Sequence, residues 1–234
     1  MGSFLTVNNV IKTYRAGETA VNAVNGMTFS AEQGEFVVIV GPSGAGKTTV
    51  LNLLGGMDAV TSGEIVVDGT KVSDMNGKQL TLYRRNDVGF VFQFYNLMPN
   101  LTARENVELA TELCKNALSP DKALELVGLS ARAGNFPAQL SGGEQQRVSI
   151  ARAVAKNPKI LLCDEPTGAL DYNTGKMVLK LLFDMCRENK KTVIVVTHNS
   201  ALKDMADRVI YIKNGVAERV EQNDSPKKPE EIEW

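Results

Sequence analysis

The chain has 234 residues, 43% of them hydrophobic and 23% charged, so it can bury a core and most of it belongs to neither the disordered nor the fibrous class. Its 26 basic and 27 acidic residues give a net charge of -1, and no basic arm predicts a nucleic-acid partner. The cysteines lie far apart without a CxxC pair, which favours reduced thiols over disulfides or a zinc site: Cys114, Cys163 and Cys186.

The apolar runs of the sequence are too short to cross a bilayer, and its first residues lack the charged and then apolar pattern of a secretory signal. Residues 1–6 fit the loose myristoylation pattern at Gly2, but an ordinary start that leads into the first strand explains them better. We therefore expect any membrane role to come through a partner protein.

Short runs of β-branched and apolar residues alternate with helical patterns along the chain, which predicts an α/β fold. Strands are predicted at 4–10, 24–29, 35–40, 64–68, 88–92, 159–163, 192–196 and 208–212. Helices are predicted at 47–55, 103–115, 119–127, 142–156, 172–189 and 199–206. Some of the strands are continuously apolar, as in a parallel sheet covered on both faces: 36–40, 160–163 and 193–196.

The strand pattern disappears between about residues 94 and 157, where we expect a helical lobe inserted into the α/β core. Lys213-Asn214-Gly215 separates two strand-like runs and predicts a hairpin. We expect one domain over residues 1–220. The polar composition of residues 221–234 predicts a disordered tail.

Residues 41–48 match the pattern G-x-x-x-x-G-K-[ST], directly after an apolar strand and before an amphipathic helix. The glycines let main-chain N–H groups converge on phosphate oxygens, and the helix N-terminus adds its partial positive charge. Lys47 would reach the β- and γ-phosphates, and Thr48 would ligate Mg²⁺. The pattern predicts a nucleoside-triphosphate site with these candidate contacts: Gly41, Ser43, Gly44, Ala45, Gly46, Lys47, Thr48 and Thr49.

Asp164 and Glu165 follow the apolar strand 159–163. Two carboxylates at the end of a buried strand are costly unless cations or hydrogen bonds meet them. In a P-loop protein the strand-end aspartate holds the magnesium, and Asp164 fits that role. Glu165, one residue further on, would polarise the attacking water as general base.

Residues 140–147, Leu-Ser-Gly-Gly-Glu-Gln-Gln-Arg, predict the start of a helix, because Ser141 is a good N-cap and Glu144 completes a capping box. With Gly142 and Gly143 beside it, this helix start is a candidate for a second anion site. The local pattern alone leaves open the alternative of a merely well-capped helix.

This octapeptide resembles the signature motif of ABC-type ATPases, and over residues 4–218 the order of the motifs is that of the family. The resemblance implies a P-loop NTPase core whose sheet is mixed and mainly parallel, with an antiparallel β part and an inserted helical lobe. It implies that Tyr14 stacks on adenine and that Gln93 touches the metal site. It also places Asp171 in the loop that crosses between subunits and makes His198, the only histidine, a contact of the γ-phosphate.

The family resemblance further implies a homodimer that closes on ATP. In it, Ser141, Gly142 and Gly143 of one copy would cover the ATP held by the partner's P-loop. The implied reaction is Mg²⁺-dependent ATP hydrolysis. Its implied catalytic residues are Lys47, Glu165 and His198, and its implied metal contacts are Thr48, Gln93 and Asp164.

A narrower resemblance points to the branch that serves lipoprotein release, macrolide export and antimicrobial-peptide resistance. It rests on residues 88–99 and 101–107, with agreement at 53–58 and 136–139. It implies a subunit on the cytoplasmic face of the cell membrane that powers a separate permease, which exports or extracts a peptide, lipoprotein or drug. A permease helix would dock in a groove formed by side chains that could equally be core of the lobe: Phe94, Tyr95, Leu97 and Met98.

Two other functions are alternatives to this interpretation. A soluble ABC-type ATPase in DNA repair or translation generally carries a long coiled-coil insertion or two ATPase units, and the sequence shows neither. A P-loop kinase for small molecules would lack the helix start at Ser141.

Overall fold

The computed structural model describes residues 3–17 and 19–233, so the pattern at Gly2 lies outside the described residues. Strands and helices alternate along these residues, which confirms the α/β class. The strands are β1 (Leu5–Ala16), β2 (Thr19–Ala31), β3 (Phe36–Val40), β4 (Ser62–Val67), β5 (Thr70–Lys71), β6 (Val88–Val91), β7 (Ile160–Asp164), β8 (Thr192–Thr197), β9 (Arg208–Lys213) and β10 (Val216–Gln222). The α-helices are α1 (Lys47–Leu54), α2 (Gly77–Asn86), α3 (Ala103–Thr111), α4 (Pro120–Leu126), α5 (Gly142–Ala155) and α6 (Tyr172–Asn189).

The larger sheet has the strand order β10-β9-β3-β8-β7-β6, and all of its pairs are parallel except β10 with β9. The continuously apolar strands β3, β7 and β8 lie in its interior, as expected for strands covered on both faces. Because they are parallel, their carboxyl ends meet at one edge, where Val40 pairs with Thr197 and Val196 pairs with Asp164. The predicted mixed, mainly parallel sheet is confirmed.

The smaller sheet is antiparallel and has the strand order β2-β1-β4-β5. The predicted hairpin between β9 and β10 is confirmed, and its turn joins the two sheets, because Asn25 N–H donates to the Gly215 carbonyl at 2.8 Å. The antiparallel part is therefore anchored to the edge of the larger sheet.

Alternating side chains of the parallel strands feed two separate apolar cores. Val38 and Val40 of β3 point into the core that also contains α5 and α6. Val37 and Ile39 of the same strand point into the core formed with α1 and the antiparallel sheet. Both faces of the sheet are thus buried. The loops that follow the parallel strands project from the carboxyl edge of the sheet.

Helices α3, α4 and α5 lie between β6 and β7 in sequence, in the region where the strand pattern disappears. Asn106, only 1% exposed, accepts a hydrogen bond from Met98 N–H at 2.7 Å and donates to the Met98 and Leu101 carbonyls. Arg152 of α5 donates to the Tyr95 carbonyl at 2.9 Å. The segment before α3 is therefore fixed to the lobe. No helix in the described ranges combines the length and the apolar character that a membrane span requires.

Helix α2 is absent from the predicted elements because it lacks an apolar stripe: Tyr83 is its one buried residue. A local capping box and one contact with a distant residue form it instead. Asn76 and Gln79 make a capping box, and the Tyr83 hydroxyl donates to the Leu54 carbonyl at 2.8 Å. The predicted helix at 199–206 is a short 3₁₀ helix, Ser200–Met205.

Residues 223–233 pack against the rest of the chain, where the sequence predicted a disordered tail. Ile232 is 2% exposed and belongs to the core that contains α6. Lys176 of α6 donates to the Glu230 carbonyl at 3.0 Å, and Lys180 lies 3.2 Å from the Glu230 carboxylate. Composition gives little indication of this docking, because it depends on few apolar side chains and on ion pairs with a distant helix.

Candidate nucleotide-binding site

The loop between β3 and α1 is shaped by glycine and closed by its own lysine. Gly46 precedes α1 with a φ of 98°, and a Cβ there would lie 2.2 Å from the Ala23 carbonyl oxygen, so only glycine fits. The Lys47 ammonium donates to the carbonyls of Gly41 at 2.8 Å and Pro42 at 2.9 Å. The amino end of α1 and this ammonium thus present positive charge at one place, as an anion site requires.

A cavity of about 310 Å³ lies beside this loop, at the carboxyl edge of the parallel sheet. Its wall brings together residues from distant parts of the chain: Ala23, Ser43, Gly44, Gly46, Lys47, Thr48, Thr49, Gln93, Asp164, Glu165 and Val196. Most of the phosphate-loop candidates, the glutamine and both carboxylates predicted from the sequence therefore share one cavity.

Asp164 ends β7 within this cavity, where its charge is poorly compensated. Burial and the neighbouring Glu165 carboxylate raise its pKa, and a hydrogen bond from the Thr48 hydroxyl and the charge of Lys47 only partly offset them. A divalent cation would supply the missing compensation. The threonine hydroxyl, the aspartate carboxylate and the amide oxygen of Gln93 are the oxygen donors that Mg²⁺ prefers, so these residues fit magnesium.

Glu165 follows with a left-handed backbone (φ 46°), a conformation that costs a non-glycine residue about 1–3 kcal/mol and is concentrated at functional sites. Its carboxylate accepts hydrogen bonds from the Thr197 hydroxyl at 3.1 Å and the His198 N–H at 2.9 Å. His198 Nδ1 lies 2.8 Å from the same carboxylate. The pairing of β7 with β8 thus brings His198 into contact with Glu165, although His198 itself does not line the cavity. Thr197 is a site residue that the sequence analysis missed, although it directly precedes the histidine.

The signature-like helix start forms a second location. Ser141 and Glu144 make the predicted capping box, with Ser141 N–H donating to the Glu144 carboxylate at 2.8 Å. Gly143 lies against α6, because a Cβ there would be 2.3 Å from the Thr174 methyl group. Asp171 caps α6 by accepting a hydrogen bond from the Thr174 N–H at 3.1 Å.

These predicted residues are neighbours of one another but do not line the 310 Å³ cavity of the described chain: Ser141, Gly142, Gly143 and Asp171. Main-chain N–H groups at the amino end of α5 and the carboxylate of Asp171 therefore belong to a separate part of the surface. The sequence predicted both sets of residues, and the fold of one chain divides them.

Tyr14 lies on β1, outside the wall of the cavity and 44% exposed. Its hydroxyl donates to an Asp58 carboxylate oxygen at 2.8 Å and lies near the side chain of Thr49, which lines the cavity. An exposed aromatic ring thus lies next to the phosphate loop.

The apolar side chains proposed for a permease groove differ in exposure. Phe94 is 76% exposed and Met98 is 52% exposed. Leu97 is half-buried and packs on the lobe core, and Tyr95 approaches Gly142, where a Cβ would lie 2.9 Å from its hydroxyl. Phe94 and Met98 therefore supply most of the apolar surface that these residues leave open.

Gly215 supports the phosphate loop, although the sequence predicted it only as part of a hairpin. It is buried, and its N–H donates to the Ala45 carbonyl of the phosphate loop at 3.1 Å, while its carbonyl accepts from Asn25. The Asn-Gly turn therefore supports the loop from behind. Ala23 and Val196, which complete the cavity wall, carry no sequence signal for such a place.

Comparison with known proteins identifies this arrangement. A family model described as ABC transporter matches residues 24–168. The chain is 46% identical to the uncharacterized ABC transporter ATP-binding protein MJ0796 of Methanocaldococcus jannaschii, covering 93% of this chain and 97% of that protein. It is 44% identical to the macrolide export ATP-binding/permease protein MacB of Brucella melitensis, over 90% of this chain and 33% of that protein.

The chain spans only half the length of some relatives. It is 45% identical to the putative ABC transporter ATP-binding protein MG065 homolog of Mycoplasma pneumoniae, over 98% of this chain and 50% of that protein. These relatives give no support to the alternatives of a DNA-repair or translation ATPase or a small-molecule kinase.

Solved structures agree with the sequence matches. A dimeric, post-hydrolysis state of the ATP-binding cassette MJ0796 bound to ADP and Pi matches with a TM-score of 0.87 at 44% identity, covering 93% of this chain and 98% of that chain. A second dimeric structure of that cassette gives a TM-score of 0.86. With its P-loop fold and complete set of motifs, this chain belongs to the ABC transporter family, as an ATP-binding cassette that uses ATP and Mg²⁺ and hydrolyses the nucleotide.

Proposed function

We propose that two copies of this cassette enclose ATP between them and that hydrolysis of this ATP drives a membrane permease. The observation that carries the proposal is the division of the site. The phosphate loop and the carboxylates share a cavity, whereas the helix start at Ser141 and the loop at Asp171 lie elsewhere on the same chain. A second copy, turned head to tail, would bring the two parts together.

In this proposal the phosphate loop holds the triphosphate through its N–H groups and Lys47. Thr48, Gln93 and Asp164 hold the magnesium. When bound, Mg²⁺ neutralises charge on the β- and γ-phosphate oxygens. Two observations support this assignment: these residues line the same cavity, and the charge of Asp164 is poorly compensated.

The proposed reaction is attack of water on the γ-phosphorus, in line with the departing ADP. Glu165 takes the proton of the attacking water, and Lys47 and the loop N–H groups stabilise the charge that develops on the phosphoryl oxygens. His198 lies 2.8 Å from the Glu165 carboxylate and holds it in place. The Tyr14 ring stacks on the adenine.

Across the dimer, the amino end of α5 donates to the γ-phosphate bound by the partner copy. Ser141, Gly142 and Gly143 supply this end, and Asp171 lies in the crossing loop beside it. The dimeric structures of the relative MJ0796 support such an assembly.

The permease is the proposed second partner. The relative MacB combines, by its name, an ATP-binding part with a permease in one protein. The proposed ATPase domain covers residues 1–220, and the helical lobe covers about residues 94–157 of it. Phe94 and Met98 are exposed apolar side chains on this lobe and would meet a permease helix. We place the cassette on the cytoplasmic face of the membrane and assign the permease a peptide, lipoprotein or drug as its cargo.

The substitution Glu165→Gln tests the mechanism. It removes the proton acceptor but keeps size and polarity, so we expect ATP binding to persist and hydrolysis to fall by about 100-fold or more. Mass measurement by light scattering should then show an ATP-dependent dimer, because the nucleotide that joins the copies is no longer cleaved.

Glu125→Gln on the surface of α4 is a matched control that exchanges the same groups away from the cavity. It should hydrolyse ATP at the unmodified rate. A Glu165→Gln protein with full turnover would contradict the assigned base. One that binds ATP but stays monomeric at high concentration would contradict the proposed enclosure of ATP by two copies.

A further inference from the structure

Asp58, in the segment after α1, joins two residues of β1 through its two carboxylate oxygens. Lys12 Nζ lies 2.6 Å from Oδ1, and the Tyr14 hydroxyl donates to Oδ2 at 2.8 Å. Its own loop adds a third contact, because Ala59 N–H donates to Oδ1 at 2.8 Å. Neither Lys12 nor Asp58 lines the cavity beside the phosphate loop.

Lys12 holds the aromatic ring as well as the carboxylate. Its side chain is 12% exposed, and its ammonium also donates to the Ala59 carbonyl at 2.8 Å. The same ammonium lies 5.0 Å from the centroid of the Tyr14 ring, within the range of a cation–π interaction. The ring is therefore fixed at its hydroxyl by Asp58 and at its face by Lys12, while 44% of the side chain stays exposed.

This cluster is attached to the helix that carries the phosphate loop. Met57 N–H donates to the Asn52 carbonyl of α1 at 2.9 Å, so the segment that carries Asp58 is fixed to the end of α1. Thr49, near the start of that helix, lines the cavity and lies close enough to the Tyr14 hydroxyl to act on its pKa. Ring and phosphate loop thus hold a defined relative position through α1.

Charge keeps the cluster assembled at neutral pH. Burial raises the pKa of Asp58, but hydrogen bonds from Lys12, Tyr14 and Ala59 N–H outweigh it, so the pKa lies below the usual range of an aspartate. Asp58 is therefore an anion at neutral pH. Lys12, almost enclosed, has that anion as its partner.

We propose that Asp58 and Lys12 are positioning residues for the nucleotide base: they hold the Tyr14 ring in the orientation in which it stacks on the adenine. This inference rests on the proposed stacking by Tyr14. A ring that is already fixed loses less rotational freedom when the base binds, so more of the stacking energy appears as affinity.

The test compares ATP with inorganic tripolyphosphate, which offers the same phosphates without a base. Isothermal titration calorimetry on dilute protein gives both dissociation constants. We expect Tyr14→Ala to weaken ATP binding by about tenfold, the usual size of the contribution from stacking a base on an aromatic ring. Asp58→Ala and Tyr14→Phe should each weaken it by about three- to fivefold, since the ring remains but is no longer fixed. Tripolyphosphate affinity should be unchanged in all three variants.

Two further variants separate positioning from general support of the fold. Asp58→Asn still accepts the tyrosine hydroxyl and should recover part of the ATP affinity. Adding Asp58→Ala to Tyr14→Ala should produce no further loss, because no ring remains to be positioned. Tyr14→Phe leaves the pair of Lys12 and Asp58 intact, so it tests the inference even if Asp58→Ala folds poorly.

The contradicting outcomes are distinct. If Asp58→Ala weakens tripolyphosphate as much as ATP, Asp58 supports the phosphate loop and the inference is overturned. If Tyr14→Ala weakens ATP binding but Asp58→Ala and Tyr14→Phe do not, stacking holds and positioning fails. If the unmodified protein binds ATP no more tightly than tripolyphosphate, the proposed stacking itself fails.

Discussion

At the scale of single residues, the partly buried carboxylate of Asp164 lowers the stability of the folded protein. Burial and Glu165 raise its pKa in the folded protein, and Thr48 and Lys47 offset only part of this effect. The unfolded chain has the ordinary, lower pKa. Between the two values the folded state binds more protons, so the stability contributed by this group falls as the pH rises through the folded pKa.

At pH values above that pKa, we therefore expect Asp164→Asn to raise the melting temperature of the nucleotide-free protein. The expected increase is about 2 °C for a chain of this size. Differential scanning calorimetry at neutral pH and below pH ~4 checks this, because both proteins are neutral at this position in acid and the difference should vanish there. The same substitution should abolish Mg²⁺-dependent hydrolysis. Asp121→Asn, in an exposed pair with Arg104, is the control and should leave both properties unchanged. A less stable Asp164→Asn protein at neutral pH would contradict the account.

Single residues were predictable from the sequence where a motif places them at the start of a helix or the end of a strand. Lys47, Thr48 and Asp164 are of this kind, and the cavity contains all three. Thr197 and Ala23 reach the site only through strand pairing and chain packing. The position of Thr197 directly before His198 is its one signal in the sequence, and Ala23 has none.

At the scale of elements, the strands and most helices follow from apolar patterning, because burial on the sheet decides them. The exceptions are elements formed by local polar contacts or by distant packing. Helix α2 depends on a capping box and Tyr83, and residues 223–233 depend on a distant helix. Apolar periodicity is weak in both, so patterning gives no indication of either.

The docking of residues 223–233 gives an element-scale prediction. Ile232→Asp places a charge in a buried apolar position, so we expect this segment to leave α6 and the free energy of unfolding to fall by about 1–3 kcal/mol. Amide hydrogen exchange should quicken in residues 223–233 and in the first turns of α6. Val220→Asp, at a site on β10 that is already 39% exposed, is the matched control and should change neither. Unchanged protection in Ile232→Asp would show that polar contacts alone hold the segment.

At the scale of the whole molecule, the family and the fold class predicted from the sequence motifs are confirmed, and the motifs also predicted the two sets of candidate site residues. The motifs do not predict how these two sets of residues are arranged in the folded chain. This arrangement depends on where α5 and α6 begin relative to the carboxyl edge of the sheet, and for α5 this follows from the packing of the inserted helices against one another and against β6. Motif spacing along the chain does not contain it.

This division predicts that one chain alone is a poor ATPase. If two copies must meet, the specific activity of the isolated cassette should rise with protein concentration and level off once dimers dominate. Well below the dimer dissociation constant, tenfold dilution should lower it by about tenfold. Steady-state phosphate release over a dilution series measures this. A specific activity that stays flat over the whole series would indicate a site complete within one chain.

The buried glycine behind the phosphate loop has a practical consequence for engineering. Surface hairpins are ordinarily permissive places for grafting an epitope or a fluorescent label. The Asn214–Gly215 turn is not such a place, because its glycine donates to Ala45 and accepts from Asn25. An insertion there would displace the backbone of the phosphate loop. The Asp68–Gly69 turn, where a Cβ on the glycine would meet no atom within 4 Å, is the safer attachment point.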